Sequence, residues 1–201
     1  SLSANTEGGS NTACGKSALQ NNTTGNHNTA IGNNALLVNT TGNNNVAVGS
    51  LALDANTSGS NNTALGRSCL SQNSTGIQNT GVGNLALLSN TTASNNSAFG
   101  YYALGTNTTG DLNTALGRSA LQNSTTASNN VAVGYQALVS DTTGGSNVAI
   151  GSFALDANTT GGSNTAVGRS SLGANTTAGN NTAIGYYSLL TNTTGTQNTA
   201  V

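Results

Sequence analysis

The sequence predicts an all-β fold, a parallel β-solenoid (β-roll) with one 17-residue coil per turn and about twelve coils in 201 residues. Three observations lead there. An Asn followed by Thr-Ala or a close variant recurs every 17 residues, at Asn11, Asn28, Asn45, Asn62, Asn79, Asn96, Asn113, Asn130, Asn147, Asn164, Asn181 and Asn198. A Leu keeps the same period without exception from Leu2 and Leu19 to Leu172 and Leu189. Only 4% of residues are charged and 3% aromatic, and Pro, Met and Trp are absent, so neither an ordinary core nor an ordinary charged surface can be assembled.

From Asn11 to Gln197 the repeat runs without an insertion or deletion. Loops tolerate length changes, so a strict period implies that each residue stacks on its equivalent in the next coil. Residues 1–201 therefore read as a single solenoid segment. Both ends fall inside a repeat, from which we expect the segment to belong to a longer chain.

Numbered from its Asn, the unit is N-T-A-(I/V/L)-G-x-x-A-L-x-x-N-T-T-G-x-x. Position 2 is Thr or Ser except at Val46, Val131 and Val148, and position 4 is apolar, as in Cys14, Ile31, Leu65, Phe99 and Ile184. Thr and Val share shape and β-branching, so positions 2 and 4 are expected to form the inward face of a short strand. Leu at position 9 closes the core from a second. Position 3 is Ala except Gly81, and position 8 is Ala, Ser or Cys, which predicts close approach of another backbone. Gly at position 5, and Gly or Ala at position 15, fit corners. Asn at positions 1 and 12 can stack into amide ladders and cap turns. So much Gly, Asn, Thr and Ser makes a helical repeat unfavourable.

A weaker period of three repeats places Lys16, Arg67, Arg118 and Arg169 at position 6. A turn of 51 residues would stack these cations about 4.8 Å apart, whereas one coil per repeat separates them by about 14 Å, beyond a Debye length. The shorter turn is expected.

The units Asn28-Thr-Ala-Ile-Gly32, Asn45-Val-Ala-Val-Gly49 and Asn181-Thr-Ala-Ile-Gly185 resemble the N-S-V-A-I-G signature in YadA-like heads of trimeric autotransporter adhesins. Similar arrays occur in tail-fibre-type proteins of phages. The resemblance covers the whole chain. It implies a left-handed roll, three chains side by side, and exposure outside a cell, on a cell surface or on a virion.

Several functions are disfavoured by composition. Gly without a three-residue period, and no Pro, excludes collagen. The net charge of −1 gives no basic stripe for nucleic acid and none of the charge typical of disorder. No apolar run is long enough to insert in a membrane as a helix. We expect no enzymatic activity: His27 is the only His, and nucleophilic catalysis needs a base beside the nucleophile. Nor is a metal or cofactor expected. Cys14 and Cys69 lie more than three coils apart, too far for a disulfide, and both read as small buried apolar residues. Glu7, Asp54, Asp111, Asp141 and Asp156 read as solvated turn residues.

Two sets of residues remain as candidate sites. Tyr101, Tyr102, Tyr135, Tyr186 and Tyr187, with Lys16, Arg67, Arg118 and Arg169, suit either surface recognition or packing between protomers. Asn22, Asn39, Asn56, Asn73, Asn90, Asn107, Asn158, Asn175 and Asn192 each precede a Thr or Ser by two residues, the N-glycosylation pattern. The expected function is an extracellular structural and adhesive module, a rigid rod attaching to host matrix protein, carbohydrate (glycan) or neighbouring fibres. Its expected partner is itself, as a homotrimer or an end-to-end filament; a filament subunit and a tail-fibre shaft are the alternatives. Ice binding ranks below these, because position 2 is expected to point inward and N-T-T-G to form a corner.

Overall fold

The computed structural model describes all 201 residues as a parallel β-solenoid of about 11 turns, with no helix. Each coil supplies one short strand from positions 2 to 4, and β1 (Thr12–Cys14) through β12 (Thr199–Ala200) form one parallel sheet in sequence order. The register is that of the repeat: Thr12 lies beside Thr29, Ala13 beside Ala30 and Cys14 beside Ile31. One turn is therefore one repeat, and the four cations of the longer period stand three coils apart.

The strand is turned over relative to the expected orientation. Position 3 faces inward, with Ala30, Ala47, Ala64 and Ala98 wholly buried, while positions 2 and 4 face outward. The cause is the thickness of the coil. Position 8 of one coil packs against position 3 of the next, so the interior admits little more than a methyl from each side. Where position 8 enlarges to Cys69, position 3 of the following coil shrinks to Gly81, and a Cβ on Gly81 would strike the Cys69 sulfur. Where position 8 is Ser171, its hydroxyl donates to the Ala183 carbonyl at 3.0 Å. The small residues at positions 3 and 8 thus reflect packing within the coil stack. Cys14, expected inside, is exposed on the outer face, whereas Cys69 is buried and its thiol is pushed up to about 12 by that burial.

Gly81→Ala is expected to destabilise the rod by about 1 to 3 kcal/mol through overpacking. Combined with Cys69→Ala, the same change should become nearly neutral in a denaturation experiment, because the pair reconstitutes the Ala–Ala contact of other coils.

Leu at position 9 fills the rest of the apolar interior, and Leu19 through Leu172 are fully buried. Its backbone is left-handed in every coil, with φ between 48° and 52°. A β-branched side chain is strongly disfavoured there, which explains why Ile and Val never replace it. Gly at position 5 has φ from 124° to 138°, and in every coil before that of Gly185 a Cβ would collide with the glycine carbonyl of the next coil.

The other half of the interior is amide. At position 12, each Asn donates through Nδ2 to Oδ1 of its equivalent in the preceding coil, from Asn22 to Asn5 at 2.8 Å through Asn107 to Asn90 at 2.9 Å. The same nitrogen donates to the position 15 carbonyl of its own turn, as from Asn73 to Gly76 at 3.0 Å. At position 1, Oδ1 accepts the backbone N–H of the next coil's Asn, and Nδ2 donates to a position 15 carbonyl, as from Asn45 to Gly59 at 2.8 Å. Buried polar groups are costly unless bonded, and these rows bond coil to coil at fixed length. An inserted residue would break them, so the unvarying period follows from the ladders as well as from the leucines.

One acid departs from its expected setting. Asp141 occupies position 12 and is fully buried, not solvated, because it sits in the amide column. Asp54 and Asp156 are half-buried, while Glu7 and Asp111 are exposed.

Candidate functional site

The outward face of the sheet is the most distinctive surface of the rod. Because the strands stack in register, the position 4 side chains form one continuous stripe. Ile31, Leu65, Phe99, Leu116, Ile150 and Ile184 are each between 37% and 49% exposed. Val48, Val82, Val133 and Val167 fill the same row half-buried. Eleven coils at about 4.8 Å carry this stripe about 50 Å along the rod. Beside it run the position 2 residues, mostly Thr, with Val46, Val131 and Val148. Monomeric proteins seldom leave a contiguous apolar band of this length in water.

The position 6 column stands two residues downstream of the stripe. Lys16, Arg67, Arg118 and Arg169 are all exposed. Only some of the predicted recognition residues come together. The Arg118 guanidinium lies 5.9 Å from the Tyr101 ring centre and 5.7 Å from that of Tyr135, in the coils before and after it. Tyr135 in turn meets Phe153 edge-on at 5.2 Å. Arg169 lies 5.9 Å from the Tyr186 ring and donates to its hydroxyl at 3.4 Å, while Tyr186 and Tyr187 are 4.0 Å apart. Tyr101 and Tyr102 are 6.1 Å apart. Each guanidinium takes one face of its neighbouring ring, so the column stacks on itself along the rod. Lys16 and Arg67 lie outside this cluster, with Asn33 and Asn84 following them in the column.

The nine candidate glycosylation residues are the amide ladder. Asn22, Asn39, Asn56, Asn73, Asn90, Asn107, Asn158 and Asn175 are fully buried, and Asn192 is half-buried. A glycan on any of the eight buried nitrogens would replace a ladder hydrogen and have to occupy the interior, so the folded rod has no place for it. The hydroxyls two residues after these Asn, at position 14, are exposed instead, a row of Thr and Ser58.

No enclosed pocket interrupts the surface, and no group of three or more His, Cys, Asp or Glu is placed to hold a metal ion. The surface is therefore one of extended rows. The strand face is the feature that the sequence reading missed. Its signal was present at position 4, where Phe99 shares a column with Cys14 and Val133, a spread of volume that an interior of constant width would not admit.

Comparison with family models, curated proteins and solved structures finds no match for this chain.

Proposed function

We propose that the protein is a rigid structural and adhesive rod of several identical chains, packed against one another through the outward strand face. The continuous stripe from Ile31 to Ile184 carries this reading. Copies of one flat, repeating face can cover one another along their whole length, removing the apolar row from water. Three chains around a common axis would do so for every copy, leaving other sides free for matrix protein or carbohydrate outside a cell. The thin interior supports the same reading: with Ala and Leu as its apolar filling, a coil gains little from burial alone.

Sedimentation equilibrium on the purified chain tests the proposal. A discrete trimer is expected, and Leu116→Glu with Ile150→Glu should yield monomer, because two desolvated carboxylates per chain would enter the interface. Wild-type monomer at micromolar concentration would sink the proposal, and a length distribution would favour the end-to-end filament. The outward Thr row removes the orientation argument against ice binding. The bulky and uneven residues beside it make a poor flat lattice, and absence of thermal hysteresis would end that reading.

A further inference from the structure

The position 12 ladder has one discontinuity, and it spans two successive steps. In an intact step an amide nitrogen donates to the coil before it, as from Asn107 to Asn90 and from Asn158 to Asp141. Ser124 stands between Asn107 and Asp141 and makes no such bond. A hydroxyl is shorter than a carboxamide, and an ionised carboxyl has no hydrogen to donate. Asn107 Oδ1, Ser124 Oγ and Asp141 Oδ2 are left without a hydrogen-bond partner in the chain, and all three residues are fully buried.

Two further rows lapse beside it. At position 16 a side-chain oxygen caps the backbone N–H of the preceding coil, as Asn43 Oδ1 does for Asn26 at 2.7 Å and Ser128 Oγ for Asp111 at 3.0 Å. Ile77 interrupts this row once, and at Gly145 it ends, because Gly145, Gly162 and Gly179 offer no side chain to the coils before them. At position 11 the backbone N–H bonds to the position 10 carbonyl of the next coil in every coil from Asn21 to Asn123, and at Ser140 that bond is missing. The apolar half of the interior shows no such lapse: Leu104, Leu121, Leu138 and Leu155 are all fully buried.

In a stack where each coil touches only its neighbours, stability is a sum over junctions, and opening concentrates where a junction lacks bonds. An orphaned buried oxygen adds to the effect, because parting the coils returns it to water. We propose that the rod carries a built-in joint at the coils of Ser124 and Asp141. There the stack parts on its amide side, hinged on the continuous leucine column, before it parts anywhere else between its ends. The joint belongs to the single chain and does not depend on how copies assemble.

Amide hydrogen exchange of the whole chain, resolved to single residues, tests the joint. Asn123 and Thr125 donate across it to Val139 and Thr142 at 3.2 and 3.0 Å, while Gln72 and Ser74 donate across an intact junction to Leu88 and Thr91 at 3.1 and 2.8 Å. Backbone bonds alone therefore give little reason for the two pairs to differ. Corrected for intrinsic rates, Asn123 and Thr125 should exchange at least about tenfold faster, the factor that one hydrogen bond's worth of stability produces. Equal or slower exchange would overturn the proposal. Ser124→Asn combined with Asp141→Asn restores an unbroken amide column and should abolish the difference; a difference that persists would overturn the assignment to the column. Should that variant fail to fold, Asn73→Ser places the same lapse in the intact stretch and should bring Gln72 and Ser74 to the faster rate. Unchanged protection there would overturn the assignment equally.

Discussion

Replacing Asn73 by Ala is expected to destabilise the rod by about 3 to 5 kcal/mol, as much as truncating one of its buried leucines. Asn73 makes three side-chain hydrogen bonds: it donates to Asn56 Oδ1 at 2.9 Å and Gly76 O at 3.0 Å, and accepts from Asn90 Nδ2 at 2.8 Å. Gly76 O keeps the bond from Asn62 Nδ2, and Asn90 Nδ2 keeps its bond to Ala93 O. Asn56 Oδ1 keeps nothing. The loss therefore combines an orphaned buried acceptor with a cavity in a stack that cannot close around it, since neighbouring coils are held by their own rungs. Equilibrium denaturation of the variant against wild type measures this, with Thr75→Ala in the exposed row as the control that should change little. Equal stabilities would show that the amide column is incidental to the fold.

Asp141→Asn is expected to act in the opposite direction, and its effect should depend on pH. Burial pushes the Asp141 carboxyl up from 3.8 to about 7, partly offset by the Asn158 amide and the Gly144 backbone; no charged side chain contributes. The groups that face it are Ser124, Asn158 and Gly144, none of them titratable. The folded rod keeps a proton that the unfolded chain releases near pH 4. Stability therefore falls as pH rises from about 4 to about 7, by up to about 4 kcal/mol, and stays low above that window. A neutral carboxyl can donate as the amides do, whereas the carboxylate cannot. In the variant most of this slope should vanish, making it the more stable protein at pH 8 and nearly equal at pH 4. A residual slope of the same sign is expected from Asp156, which burial also shifts upward. Identical pH profiles for the two proteins would show that Asp141 is not titrating in the interior.

The period, the one-coil turn, the Leu column and the two Asn columns were all legible in the sequence, because each is a repetition and stacking turns repetition directly into contact. The facing of the strand was not. Alternation along three residues says that positions 2 and 4 share a side opposite position 3, and placing the larger residues inside is the ordinary choice. It fails here because the interior is too thin for Phe99 or Leu116 and is closed by contacts between small residues at positions 3 and 8, such as Gly81 on Cys69. The exchange of Thr for Val at Val46 and Val131 could not decide the matter, since both suit a strand on either face. Asp141 was misread for a related reason. An acid in a polar turn is normally solvated, and only its membership in the Asn column marks it as buried. The aromatic and cationic residues were legible as position 6 and its neighbour, but their mutual stacking at Arg118 and Arg169 depends on which of them stand in consecutive coils.

Seventeen residues per turn also set how the rod responds to a pull on its two ends. Each coil contributes about 4.8 Å of length while folded and, once extended, about 55 to 60 Å of chain. Force applied along the axis is borne in series by the bonds between successive turns, so the weakest junction yields first and releases slack before its neighbours do. A tether built this way would stretch in discrete steps of about 50 Å, dissipating load one turn at a time while the remaining turns stay wound.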